Sequence, residues 1–141
     1  MRLLRPALLA ALVIGSACTG NHRADRLYVD LGGNAGLAAL VDAVVAELHG
    51  DPRIRHLFAD TDDAEFKARL TEQLCELAGG GCEYTGLAMA EAHSGMDLSE
   101  AQFNYFVEDA RRAMTRAGIR IGAQNLLLAR LARMRAEVVH Q

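Results

Sequence analysis

Tryptophan is absent from the 141 residues, proline occurs twice, and aromatic residues make up only 5%. A core built with so few rings must be aliphatic, and so little proline leaves helices free to run. The net charge of −3 comes without any dense Lys/Arg run, which excludes nucleic-acid binding by bulk electrostatics. No stretch alternates apolar and polar residues with the period of a strand. The three cysteines have no second Cys/His pair nearby, so a zinc pattern is excluded as well. What is there, chiefly Ala, Leu, Glu and Arg, points to an all-α chain with one domain and a sizeable interior.

The first 17 residues stand apart from that domain. Arg2 and Arg5 form a short positive region, and Ala7 to Ile14 form an apolar run too short to span a bilayer. Gly15, Ser16 and Ala17 supply small residues before Cys18. The expectation is an export signal over 1–17, a polar tether over 18–26 and a folded domain over 27–141, located in the periplasm. The Ala17–Cys18 junction resembles a bacterial lipoprotein box, in which Cys18 is acylated and attaches the protein to a membrane. Gly15 departs from that box, where an aliphatic residue is usual, and plain cleavage after Ala17 is the competing reading. An exported chain meets oxidising conditions, so Cys75 and Cys82 are expected to pair across Gly79–Gly81. Two free, buried thiols are the alternative.

Helical spacing organises the rest. Asn34 is the expected N-cap of a helix whose inward residues are Leu37, Leu40, Val41, Val44, Val45 and Leu48, with Gly50 as its stop. Ile54, Leu57 and Phe58 predict a short, tight helix after Asp51-Pro52, with His49 and His56 on the surface. Asp62 and Glu65 resemble a capping box for a helix with Phe66, Leu70, Leu74 and Leu77 on one face. Ser99 and Gln102 repeat the pattern before Phe103, Phe106, Val107, Ala110 and Met114, a helix that Gly118 ends. A last helix is expected from about Ala123, with Leu127, Leu128, Leu131, Met134 and Val138 inward.

Between the helix opened by Asp62 and the helix opened by Ser99 lies GGGCEYTGLAMAEAHSGM, residues 79–96. Its glycines predict a loose tether, and Met89, His93 and Met96 fall on one face of a short helix. A neutral imidazole among thioethers and alanines suits the single axial ligand of a large apolar cofactor. A histidine satisfied within the core is the other reading.

Leu31-Gly32-Gly33, Asp51-Pro52-Arg53 with Phe58, Gly79-Gly80 leading to Tyr84-Thr85-Gly86, then Met89 and His93-Ser94-Gly95 follow one another in order. From about Leu27 to Val139 this series resembles the group 1 truncated haemoglobins. The resemblance implies a two-over-two helical sandwich around one haem b, with His93 as the proximal ligand of its iron and Phe58 packed on the porphyrin. Tyr84 and Met89 would complete the cofactor-binding set, and Arg69 or Lys67 would reach the propionates. The family often carries a distal tyrosine and glutamine; the matching positions here are Val45, Phe66 and Leu70, all apolar. Gln73 is the nearby amide, and Gly81 stands where a proline is frequent.

Three functions follow. The leading one is reversible binding of oxygen, nitric oxide or carbon monoxide. The second is a redox enzyme such as a nitric oxide dioxygenase or a peroxidase, which needs a reductase partner. The third is a non-haem lipoprotein acting through protein contacts. Export is checked by mass spectrometry of protein from its host: removal of residues 1–17 with an acylated Cys18 is expected. An intact Met1 terminus would exclude it.

Overall fold

The structure, a computed structural model, describes residues 25–141. The export signal, Cys18 and residues 18–24 of the tether lie outside the described residues. Six α-helices follow: α1 (Arg26–Asp30), α2 (Gly33–Gly50), α3 (Asp63–Leu77), α4 (Met89–Ala92), α5 (Glu100–Arg116) and α6 (Ile121–Ala132). Short 3₁₀ turns cover Arg55–Phe58 and Arg135–Glu137. No strand occurs among the described residues. α2 packs on α3 and on α5, and α6 packs on both of these as well. The result is two layers, α2 with α3 over α5 with α6. Leu37, Leu40, Leu48, Ile54, Met114 and Leu127 are among the fully buried side chains at the centre.

Each helix end has a local cause. Asp62 accepts from the N–H groups of Ala64 and Glu65, so it caps α3. Glu65 does not complete a box; its carboxylate binds Arg69 instead. Ser99 and Gln102 do form both halves of a capping box at the start of α5.

Two ends differ from the expectation. α2 begins at Gly33, with Gly32 as its cap at φ 87°, a left-handed conformation that glycine adopts without strain. Asn34 lies inside the helix, and its side-chain oxygen accepts the Tyr28 hydroxyl at 2.9 Å. This is a tertiary contact to α1, a helix that its five residues are too few to announce by periodicity. Residues 25 and 26, assigned to the tether above, are structured: Asp25 caps α1 and pairs with Arg130 at 2.7 Å. α6 begins two residues before Ala123 and stops at Ala132. The tail then turns back, burying Val139 rather than Val138.

Polar groups join α2 to α5. Asp51, only 5% exposed, accepts from the Arg53 N–H at 2.9 Å and from its guanidinium at 2.6–3.0 Å. Arg53 also pairs with Glu108 at 2.9 Å and lies over the Tyr105 ring at 4.0 Å. Arg112 reaches Glu47, Asp51 and the fully buried Asp109. The expected α5 stripe had no place for Asp109, whose burial is tolerable because an arginine meets it.

The hydrogen bonds from Arg53 hold the Asp51 carboxyl down to about 2 from 3.8. A depressed pKa means that the ionised form favours the fold. This contribution is complete above about 4 and disappears as the pH falls toward 2. Asp51→Asn should therefore lower stability at neutral pH and flatten the stability profile between those values. Urea unfolding at a series of acid pH values checks this, and an unchanged slope would exclude Asp51 as its source.

Candidate functional site

A helix of four residues cannot sustain itself, and α4 buries none of its side chains. It makes no extended packing contact with another helix. Specific bonds hold it instead. His93 Nδ1 lies 2.7 Å from the Met89 carbonyl oxygen. A carbonyl only accepts, so Nδ1 carries the proton of the neutral ring and Nε2 keeps its lone pair. Nε2 has no protein partner among the described residues. The Gln73 amide donates to the sulfur of Met89 at 3.0 Å and points to that of Met134 at 3.7 Å. Behind the histidine, the Gln141 main-chain oxygen accepts from the N–H of Gly95 at 3.1 Å and of Asp97 at 3.2 Å. The His140 N–H donates to Leu98 at 3.0 Å. The sequence reading missed this tail. It placed Val138 inward on the last helix, and helical spacing cannot assign a residue that docks by its backbone.

The segment before α4 is tied down, which corrects the loose tether expected from its glycines. Gly79, at φ 77°, closes α3: its N–H bonds to Glu76, and the Gly80 N–H bonds to Cys75. Gly80 has no room for a side chain, since a Cβ there would meet the Tyr28 ring at 2.5 Å and the Cys75 sulfur at 2.6 Å. Cys75 and Cys82 are joined as a disulfide with Cα atoms 5.7 Å apart. Glu72 accepts from the Thr85 N–H at 3.1 Å and hydroxyl at 2.9 Å. These bonds, the backbone one first, hold its carboxyl below the ordinary range. Glu76 accepts from the Tyr84 N–H at 3.2 Å.

The remaining candidate residues divide into a wall and a rim. All four phenylalanines, at 58, 66, 103 and 106, stay half-buried in a chain whose leucines are mostly buried. Phe58 and Phe66 lie together, centroids 5.6 Å apart and planes tilted by 38°. Val45 and Leu70 belong to the buried core, and Met89 and Tyr84 are half-buried. Burial pushes the Tyr84 phenol up. Deeper in, Leu40, Val44, Leu70, Leu74, Phe106 and Leu127 help to line a small, wholly apolar cavity. Val44 lines it; Val45 does not. Arg69 is held by Glu65 and Glu72, each at 2.7 Å, and by Thr85. Lys67 is held by Asp42 at 2.8 Å. Propionate binding would require either cation to leave or share a carboxylate.

These residues fit a haem. The short helix that ends at His93 makes no extended packing contact with the others. One imidazole nitrogen is oriented and the other has no protein partner among the described residues, and large apolar side chains are incompletely covered. No group of three His, Cys, Asp or Glu could hold a bare metal ion among the described residues. A metal arriving within its own ring needs only the one axial nitrogen. The wall of Phe58, Phe66, Val45 and Leu70 carries no acid–base group, and the arrangement offers such a metal one nitrogen.

Comparison with known proteins agrees with this geometry. The chain belongs to the bacterial-like globin family, whose model it matches over residues 26–140, and within that family to the group 1 truncated haemoglobins. It is 30% identical to the group 1 truncated haemoglobin of Tetrahymena pyriformis, over 70% of this chain and 81% of that one. It is 32% identical to its counterpart from Synechocystis, over 66% of this chain and 78% of that one. The solved Fe(III) form of the Tetrahymena pyriformis protein superposes with a TM-score of 0.79, at 27% identity, covering 82% of this chain and 98% of that one.

Cys75→Ser with Cys82→Ser should lower stability by about 2–3 kcal/mol, the chain-entropy value for a loop this short. Denaturant unfolding checks the loss. Thiol counting without reductant should find neither Cys75 nor Cys82 free in the wild type.

Proposed function

We propose that this protein binds a diatomic gas reversibly (oxygen, nitric oxide or carbon monoxide) through a haem b held by His93 Nε2, outside the cytoplasm. The observation that carries this is the 2.7 Å contact between His93 Nδ1 and the Met89 carbonyl, which fixes the tautomer a neutral axial ligand requires. A bound haem would supply an iron able to take up a diatomic gas. The chain's part is to orient the imidazole through Met89, to cover the ring with Phe58 and Phe66, and to keep water away with Val45 and Leu70. Arg69 and Tyr84 would sit at its edge. The export reading is supported by Arg2, Arg5 and the run from Ala7 to Ile14, and a disulfide at Cys75–Cys82 suits an oxidising compartment.

The apolar lining also defines the ligand preference. Oxygen accepts a hydrogen bond from a nearby donor, while carbon monoxide gains little from one. Gln73, the nearby amide, is directed at two thioethers. Oxygen release should therefore be fast, with carbon monoxide preferred. A redox enzyme would need a distal proton donor that the lining does not offer.

His93→Ala should abolish the Soret band of the purified protein, or shift it by changing the ligation. Leu70→Gln, which keeps the side-chain volume, should slow oxygen release by about one to two powers of ten, the worth of roughly 1.5–3 kcal/mol. It should leave carbon monoxide release nearly unchanged. Val45→Tyr tests the position that matches the family's distal tyrosine. Stopped-flow measurements decide: a wild type that already releases oxygen slowly, or two variants with unchanged oxygen kinetics, would refute the distal assignment.

A further inference from the structure

The outer face of α6 has no explanation in the site. Every exposed residue from Ile121 to Ala132 is uncharged, although a helix that faces water ordinarily carries its charges there. The one charged residue of α6, Arg130, is directed instead to the Leu77 carbonyl and to Asp25. Ile121 is 66% exposed and Leu126 44%. α1 packs beside this helix and adds Val29, 64% exposed; Asp30 joins Arg120 across the seam at 2.7 Å. Arg26 and Arg120 flank the apolar residues with side chains 84% and 66% exposed, and Arg133 follows the end of α6. Asp30 also pairs with Arg26 at 3.8 Å, so the pattern is an uncharged centre, with Asn125 among its exposed residues, and a border of three arginines against one aspartate.

The position of the chain's entry indicates what covers it. The described fold begins at Asp25, whose carboxylate binds Arg130 of α6 at 2.7 Å and whose N–H bonds to Gly79 at 3.0 Å. Cys18 precedes it by seven residues, a reach of at most about 23–25 Å. A lipid on Cys18 would hold this end of the fold, where α1, the Arg130 end of α6 and the C-terminal end of α3 meet, within that distance of a bilayer. We propose that the α1–α6 face is the membrane-contact surface of this protein. Ile121, Leu126 and Val29 enter the headgroup boundary, and Arg26, Arg120 and Arg133 meet anionic lipid. The proposal rests on the lipoprotein reading of Cys18 for the tether, and on the described surface for the face itself. A lipid anchor is firmest when a second, protein-borne contact supports it, and this face supplies one.

The test uses the full-length gene product, exported by a Gram-negative host and reconstituted into vesicles of phosphatidylethanolamine and phosphatidylglycerol. Mass spectrometry first reads the state of Cys18, which decides the anchor independently. A bimane label is then placed at Leu126→Cys, or at Thr61→Cys on the exposed loop before α3, and quenched with nitroxide lipids. Quenching several-fold stronger at 126 than at 61, and lost from 126 when Ile121→Glu is added, supports the face. If Cys18 proves unmodified, the same contrast is read on protein carrying Cys18→Ser and added to the vesicles, so that the anchor can fail while the face stands. Circular dichroism confirms that Ile121→Glu keeps its helices. Equal quenching at the two sites overturns the proposal. So does a dimer in sedimentation equilibrium that cross-links through Leu126→Cys, which would assign the face to a second copy of the chain.

Discussion

His93 stands at the end of a single helical turn, and that turn has neither the length to persist in water nor a buried face to hold it in place. The orientation of its ring must therefore come from outside the turn. One hydrogen bond does the local part: Nδ1 to Met89, four residues back. Met89 is in turn located by Gln73 of α3, while the other side of the histidine is fixed by backbone bonds from Gly95 and Asp97 to Gln141. Each bond is worth about 1 kcal/mol net, too little to set a position alone. Their value lies in coming from both sides of one residue. The disulfide and the Glu72–Thr85 contacts extend the same restraint back to α3.

The parts of this arrangement that were legible in the sequence are those written in local spacing. Phe66, Leu70, Leu74 and Leu77 repeat at one helical face, and Ser99 with Gln102 sits at the start of the next helix; neither pattern needs a distant partner to be read. His93 was legible because Met89 precedes it by one turn and Gly95 closes the segment. What failed depends on partners that the spacing of apolar residues does not announce. Asn34 resembles a cap but is claimed by Tyr28. Arg69 resembles a free cation, but its carboxylates stand three and four residues away on its own helix. Asp109 interrupts an apolar stripe, and only Arg112 makes its burial tolerable. The glycines at 79–81 signalled freedom, whereas Gly79 is packed against Asp25 and Gly80 against Tyr28 and Cys75, which brings segments close.

Charge is distributed by the same logic. The network of Glu47, Asp51, Arg53, Glu108 and Arg112 joins α2 to α5 on groups that lie outside the candidate cofactor wall. One oxygen of Asp109 remains without a partner, so this joint is not fully satisfied. The wall itself contains no such groups, and the outer face of α6 contains none either. Polar bonding is concentrated where helices must be registered, and two surfaces are left without charge.

On the proposed reading, that separation imposes a choice at Leu70. A donor there would strengthen oxygen binding, but a buried amide without a partner costs about 1–3 kcal/mol whenever no ligand accepts from it. Leucine avoids that cost and contributes its own burial to the core, where it is 6% exposed. Gln73, one turn further along, carries an amide without incurring the penalty, because two methionine sulfurs accept it. The chain thus places its nearby donor on the side that steadies His93. On that reading the site would keep the stability of an apolar wall and forgo tight retention of oxygen.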